Sequence, residues 1–109
     1  MEMIETLREL MRIPSVTGAA PLPGMPYGKD VHDALEKALA VCERLGFRTQ
    51  KCGDYLGYAE IGEGKELMGI LVHLDIVPPG NGWNHDPFGG EILDGKIYGL
   101  FIWTNTALS

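Results

Sequence analysis

The chain has 109 residues, 45% hydrophobic, 22% charged and 8% aromatic, the profile of one ordinary soluble domain with a modest core. Nine Lys and Arg against 15 Asp and Glu leave a net charge of −6, which argues against a nucleic-acid binder or a partner of anionic membranes. Fifteen glycines and seven prolines follow no triplet period, which excludes a collagen-like chain.

The excess negative charge is all in the second half: residues 1–52 hold seven acids and seven bases, residues 53–109 eight acids and two bases. A solvated acidic surface is the simpler account of this, a cation site the sharper one. The start, Met1-Glu2-Met3-Ile4-Glu5, carries acids where a secretory signal needs bases. No apolar run approaches the ~18 residues of a membrane span, so a cytoplasmic protein is expected. Cys42 and Cys52 form neither a disulfide framework nor a Cys-x-x-Cys motif and read as small, reduced, buried side chains.

Ile4, Leu7, Leu10 and Met11 recur at helical spacing and Pro14 ends the pattern, which predicts a first helix over about residues 2–12. From Ser15 to Gly28 the prolines and glycines predict a long loop, of a length that is often functional. Asp30 is a candidate N-cap for a second helix with an apolar stripe of Val31, Leu35, Ala38, Cys42 and Leu45. Asp33 and Lys37 would pair on its surface, and Gly46 would end it in a left-handed conformation.

Beyond Gly46 the period changes. Phe47–Cys52 and Tyr55–Ile61 predict two strands around Gly53-Asp54. The unbroken apolar run Leu67–Val72 predicts a central strand buried on both faces, ending at His73. A turn-rich stretch spans Val77–Gly90, and Glu91–Leu93, Asp94-Gly95 and Lys96–Tyr98 predict a hairpin with a type I′ turn. The expected fold class is α/β, two N-terminal helices followed by a mixed sheet.

His73-Leu74-Asp75 follows that central strand, where open α/β sheets place their sites. Residues two apart on an extended chain face the same side, so imidazole and carboxylate can lie together. A carboxylate beside a metal-ligating histidine accepts its spare N–H and fixes the tautomer. On spacing alone His-x-Asp is a weak signal, and a histidine at a strand end is more often a structural hydrogen-bonder.

The ordered set is more specific. Tyr58-Ala59-Glu60-Ile61-Gly62-Glu63-Gly64, Gly69 through Pro78, Gly82-Trp83 with Asp86-Pro87-Phe88-Gly89-Gly90, and Asp94-Gly95-Lys96-Ile97-Tyr98-Gly99 together resemble a zinc metallopeptidase family. That family includes aminoacylases, acetylornithine deacetylase, carboxypeptidase G and the Xaa-His (PepV-type) dipeptidases. The resemblance covers residues 1–99, and Pro26-Tyr27-Gly28 with the Gly-Tyr-Ala-Glu segment is most similar to the PepV type. It implies the first part of a zinc-exopeptidase-like catalytic domain that, at full length, carries two zinc ions and acts on dipeptides or N-acyl amino acids. His73 would be a zinc ligand and Asp75 the catalytic-site residue that orients its imidazole. Trp83 and Asp86-Pro87-Phe88 would form a structural loop beside the site. His85 reads as a solvated histidine of that loop, and His32 as a structural residue of the second helix.

After Gly99 the resemblance fails. The family continues with an arginine, a glycine and a zinc-bridging aspartate, whereas this chain reads Leu100 through Ser109 with no carboxylate near Thr104 or Asn105. Residues 100–109 are a divergent tail of the kind a frameshift or premature stop would produce, or alternatively an extension of the last strand. The general-base glutamate and the other ligands of the family lie further on. Zinc hydrolysis needs about three protein ligands and an open position for water, so a single ligand histidine predicts no hydrolysis by this polypeptide alone. The alternatives are a deacylase of the same family and a non-catalytic paralogue that associates with a full-length partner. An uncovered sheet edge would favour a homo-oligomer, and Leu100–Trp103 would favour edge pairing.

Overall fold

The computed structural model describes residues 2–99, with elements in the order α1 (Glu2–Met11), α2 (Lys29–Arg44), β1 (Arg48–Cys52), β2 (Leu56–Glu60), β3 (Glu91–Leu93) and β4 (Lys96–Tyr98). The expectations for Leu100–Trp103 and for the stretch around Thr104 and Asn105 lie outside the described residues.

Helix α1 ends where Pro14 forbids its continuation, and Met11, at its last turn, is 1% exposed. The N-cap of helix α2 lies two residues before the candidate cap. Gly28, not Asp30, is the N-cap, at φ 90° and ψ 170°, a backbone region open essentially to glycine alone. A Cβ at Gly28 would stand 2.6 Å from the Ala19 side chain, so the approach of the Ser15–Gly28 loop excludes any larger residue. Asp30 instead sits in the first turn, where its charge favours the positive end of the helix dipole. The C-terminus follows expectation. Gly46 adopts φ 96° and its N–H donates to Glu43 O, while the Phe47 N–H donates to Cys42 O, the paired bonds of a Schellman ending.

The faces of α2 are divided differently from the predicted stripe. Its fully buried residues are Ala34 and Val41. On the same side Lys37 and Arg44 reach Glu9 of α1, at 3.8 and 3.2 Å. The predicted Asp33–Lys37 pair is therefore absent: Asp33 takes Lys29 at 2.5 Å and Lys37 turns to α1. Val31, Leu35, Ala38 and Cys42 instead line an open cleft and stay half-buried, and Leu45 is exposed.

Strands β1 and β2 form an antiparallel hairpin with Arg48 opposite Glu60 and Cys52 opposite Leu56, packed on α2. The Leu39 side chain crowds Gly57 there, where an added Cβ would meet it at 2.9 Å. Strands β3 and β4 form the second hairpin, and the turn residues Asp94 (φ 52°) and Gly95 (φ 75°) are both left-handed, as the type I′ turn requires. Helices and strands are both present as expected, but among the described residues the strands do not form one mixed sheet. They form two separate two-stranded antiparallel sheets alongside two helices.

The largest correction concerns Leu67–Val72, which is neither a strand nor buried: its apolar side chains are 73–99% exposed. A doubly buried strand needs hydrogen-bonded neighbours along its edges and cover on its faces. Among the described residues neither exists, because β2 is paired to β1 and the second hairpin only to itself. The cysteines are free as expected, but Cys42 is half-buried and Cys52 exposed, not both buried.

Candidate functional site

The residues around His73 are held in place from the N-terminal side of the chain. Ser15, directly after Pro14, is fully buried and its hydroxyl donates to Leu74 O at 2.7 Å. The Ile76 N–H donates to Ser15 O (2.9 Å) and the Thr17 N–H to Ile76 O (2.7 Å), so Val16 and Ile76 form an isolated parallel bridge. Three hydrogen bonds thus pin Leu74–Ile76 to the segment after α1. The long loop from Ser15 is in this sense structural where it meets the site. Sequence reasoning had passed over Ser15, whose one available signal was a lone polar residue between Ile13-Pro14 and Val16.

His73 and Asp75 face the same side, as extended spacing predicts. His73 Nδ1 lies 2.9 Å from Asp75 O and 3.3 Å from Asp75 Oδ1. A carbonyl only accepts, so the bond assigns the proton to Nδ1 and leaves the Nε2 lone pair free. That is the tautomer a metal-binding imidazole needs, with the orienting partner on the other nitrogen. The His73 side chain is 83% exposed.

A single imidazole is one donor. Among the described residues no group of three or more His, Cys, Asp or Glu side chains is placed to hold a metal ion. A zinc site requires three or four ligands, so the described residues do not by themselves close one, and His73 Nε2 is one donor that could contribute to it.

The other histidines are accounted for. His32 Nε2 is 3.8 Å from Glu36 Oε1, the oxygen that also receives Lys51 Nζ, and its Nδ1 is buried without a hydrogen-bond partner. The Lys51 hydrogen bond is the main cause holding the Glu36 carboxyl below the ordinary carboxylate value. His85 is not solvated: its Nδ1 is 3.2 Å from Glu91 Oε1 and its ring stacks on Tyr98 at 3.9 Å, which fastens the 77–90 segment to the second hairpin. In that segment Trp83 Nε1 donates to Pro79 O at 2.7 Å, and Asp86 Oδ1 accepts from the Phe88 N–H at 2.9 Å. Both are internal turn contacts, in keeping with a structural part for Trp83 and Asp86-Pro87-Phe88.

His73 and Asp75 are among the residues lining a cleft of about 760 Å³, together with residues of α2, of β2 and of the 70–74 stretch. Leu35 and Ala38 of α2, Leu56 and Tyr58 of β2, and Ile70 and Leu71 give the lining its apolar character. A smaller hollow of about 470 Å³, lined by Trp83, His85, Lys96 and Tyr98 among others, includes neither His73 nor Asp75. No helix among the described residues is long and apolar enough to cross a membrane.

Comparison with known proteins adds a direction. The chain is 41% identical over 98 residues to "Putative dipeptidase YtjP" of Bacillus subtilis, a match covering 89% of this chain and 21% of that protein. It is 44% identical over 75 residues to the Beta-Ala-Xaa dipeptidase of Lactobacillus delbrueckii subsp. lactis, covering 68% and 16% respectively. A dipeptidase-named protein of Staphylococcus saprophyticus is 36% identical over 96 residues, covering 87% and 20%. The chain therefore spans about a fifth of the length of these curated relatives. No family model matches it.

Proposed function

We propose that this chain is the opening part of the catalytic domain of a zinc-dependent dipeptidase, to which it contributes one metal ligand, His73, and the residue that orients it, Asp75. The observation that carries the proposal is the His73–Asp75 geometry: Nδ1 is committed to Asp75 O and Nε2 is free. Ser15 stabilises that geometry by fixing Leu74, the residue between them. The similarity to proteins named dipeptidases favours dipeptides over N-acyl amino acids as the substrate class. Bound zinc would supply a water of lowered pKa for attack on the peptide carbonyl. The chain's own residues supply the ligand lone pair at His73 Nε2, the acceptor that holds the opposite nitrogen, and a pinned backbone beneath both. Three or four donors are required and His73 is the one this reading assigns among the described residues, so the expected behaviour of these residues alone is no hydrolysis.

Nitrogen NMR of the histidine rings, with zinc titration of the wild type and of His73→Ala, tests this reading. The expected result is an Nδ1-protonated His73 ring before zinc, a zinc-dependent shift at its Nε2, loss of that shift in His73→Ala, and no dipeptide cleavage. Zinc binding of equal strength in His73→Ala would remove the ligand assignment. Zinc-dependent cleavage by the purified chain that His73→Ala abolishes would show that the site is complete.

A further inference from the structure

We propose that Arg8 is a positioning residue for the His73–Asp75 pair: with Ser15 it holds both ends of the loop 77–89, and through the base of that loop it fixes the segment carrying the pair. The proposal rests on the reading of His73 as a metal ligand, because the aim of its imidazole matters to function only if a metal uses it. The loop leaves from Ile76, whose N–H donates to Ser15 O and whose carbonyl accepts from the Thr17 N–H. It returns at Gly90, whose carbonyl accepts from Arg8 Nε at 2.7 Å across 82 positions of sequence. Both ends of the loop are thus fastened to one short piece of chain, residues 8–17.

That piece has little slack. Between the two anchors the Arg12 N–H donates to Arg8 O and the Ile13 N–H to Leu10 O, which closes the end of α1. The Ser15 N–H then donates to Ile13 O at 2.8 Å and the Val16 N–H to Pro14 O at 2.7 Å, two successive three-residue turns. The ring of Pro14 presets the φ at the centre of the first. The Gly90 anchor fits as closely. Gly90 is buried at φ 64°, and a Cβ there would stand 3.3 Å from Arg8 Cγ and 3.6 Å from Arg8 Cα, so the loop end lies against the helix backbone itself. Three residues along α1, Met11 reaches Gly99, just beyond β4, where a Cβ would overlap its terminal methyl group. Met11 and Ser15 are fully buried and the Arg8 side chain is only 23% exposed, so the arrangement is built from covered contacts.

The two anchors should strengthen each other. Either one requires residues 8–17 to be ordered, and once one has formed the other needs little further loss of conformational freedom. Arg8 hydrogen-bonds to Gly90 and to Glu5, not to His73 or Asp75, so its influence on the pair passes through the loop base and Ile76.

Hydrogen exchange and nitrogen NMR of the purified 109-residue chain, without metal, test the proposal. Arg8→Met keeps an aliphatic stem against Gly90 and removes the donor. The Thr17 and Ile76 amides should then exchange about 10-fold faster, as expected for the loss of one hydrogen bond from a charged donor, while amides of the β1–β2 ladder keep wild-type rates. Reciprocally, Ser15→Ala should speed exchange of the Arg8 Nε–H, because coupling between two sites is mutual. The His73 ring should shift in Arg8→Met from the Nδ1-protonated pattern toward the mixed tautomers of a free imidazole, and Arg8→Lys, which restores a donor, should return it part of the way. Ala40→Gly, at an exposed position inside α2, weakens that helix and should leave the His73 ring as it is. Four outcomes overturn the proposal: wild-type exchange at Thr17 and Ile76 in Arg8→Met; equal acceleration of the β1–β2 amides, which is plain global unfolding; an unchanged His73 ring in Arg8→Met; or a ring that shifts as much in Ala40→Gly. The ligand reading fails by a different result, zinc binding that survives His73→Ala, so the two failures are distinguishable.

Discussion

Removing one oxygen should loosen the segment that carries His73 and Asp75. Ser15 is 0% exposed and its hydroxyl donates to Leu74 O at 2.7 Å. In Ser15→Ala that bond is lost and a half-buried carbonyl loses its partner, while the side-chain volume hardly changes, so no cavity term enters. A net hydrogen bond contributes about 1 kcal/mol, and leaving the acceptor unsatisfied brings the expected cost to about 1–2 kcal/mol. For a domain near this size each kcal/mol corresponds to a fall of roughly 4–8 °C in melting temperature. The decisive readout is local. The Ile76 and Thr17 amides, which donate to Ser15 O and Ile76 O, should exchange faster in the variant by a factor of about 5–30 if they open by the same 1–2 kcal/mol. A denaturation midpoint equal to wild type, together with unchanged exchange at these two amides, would refute the clamp.

Gly28→Ala should destabilise α2 by at least about 2 kcal/mol, read by thermal melting of the helical circular dichroism, because φ 90° with ψ 170° strains any L-residue and the new Cβ would collide with Ala19. An unchanged melt would mean that the loop yields freely. The Glu36 carboxyl is held below its ordinary value of 4.5, first by the Lys51 hydrogen bond, and Glu9 is likewise lowered by the Arg44 hydrogen bond. A depressed carboxylate stabilises the fold above its unfolded pKa, and that contribution is lost as pH falls through the folded value. The difference in melting temperature between wild type and Lys51→Met should therefore be present at neutral pH and shrink as pH falls below about 4.5, and it should be reduced by salt because the pair is exposed. A difference that persists undiminished at low pH would mean that Lys51 acts through its aliphatic stem and not its charge.

Local signals transferred well from sequence to structure. Pro14 ended α1, Gly46 ended α2 with the hydrogen bonds its type demands, and Asp94-Gly95 formed the turn that only left-handed residues allow. Each of these outcomes is set within a few residues, by a missing N–H or a permitted φ. The His73–Asp75 juxtaposition belongs to the same class, because the two-residue period of extended backbone puts both side chains on one side.

The misjudged features are those whose partners lie far along the chain. Asp30 lost the cap position to Gly28 because the loop passes against Ala19, and Lys37 left Asp33 because Glu9 of α1 was within reach. The apolar pattern of Leu67–Val72 states how strongly these residues avoid water, not what will cover them; with no neighbouring strand among the described residues, the run stays exposed. The stripe Val31, Leu35, Ala38, Cys42 shows the same thing from the helix side, lining an open cleft while Ala34 and Val41 are the buried residues of α2.

The sequence by itself thus determined the helices, the turns and the histidine–carboxylate pair, since short-range sterics and spacing suffice for them. Tertiary structure decided that Ser15 holds this pair in place across 59 positions of sequence, and that the most hydrophobic segment lies uncovered beside a cleft. Burial and long-range hydrogen bonds depend on which surfaces meet, and no local pattern encodes that.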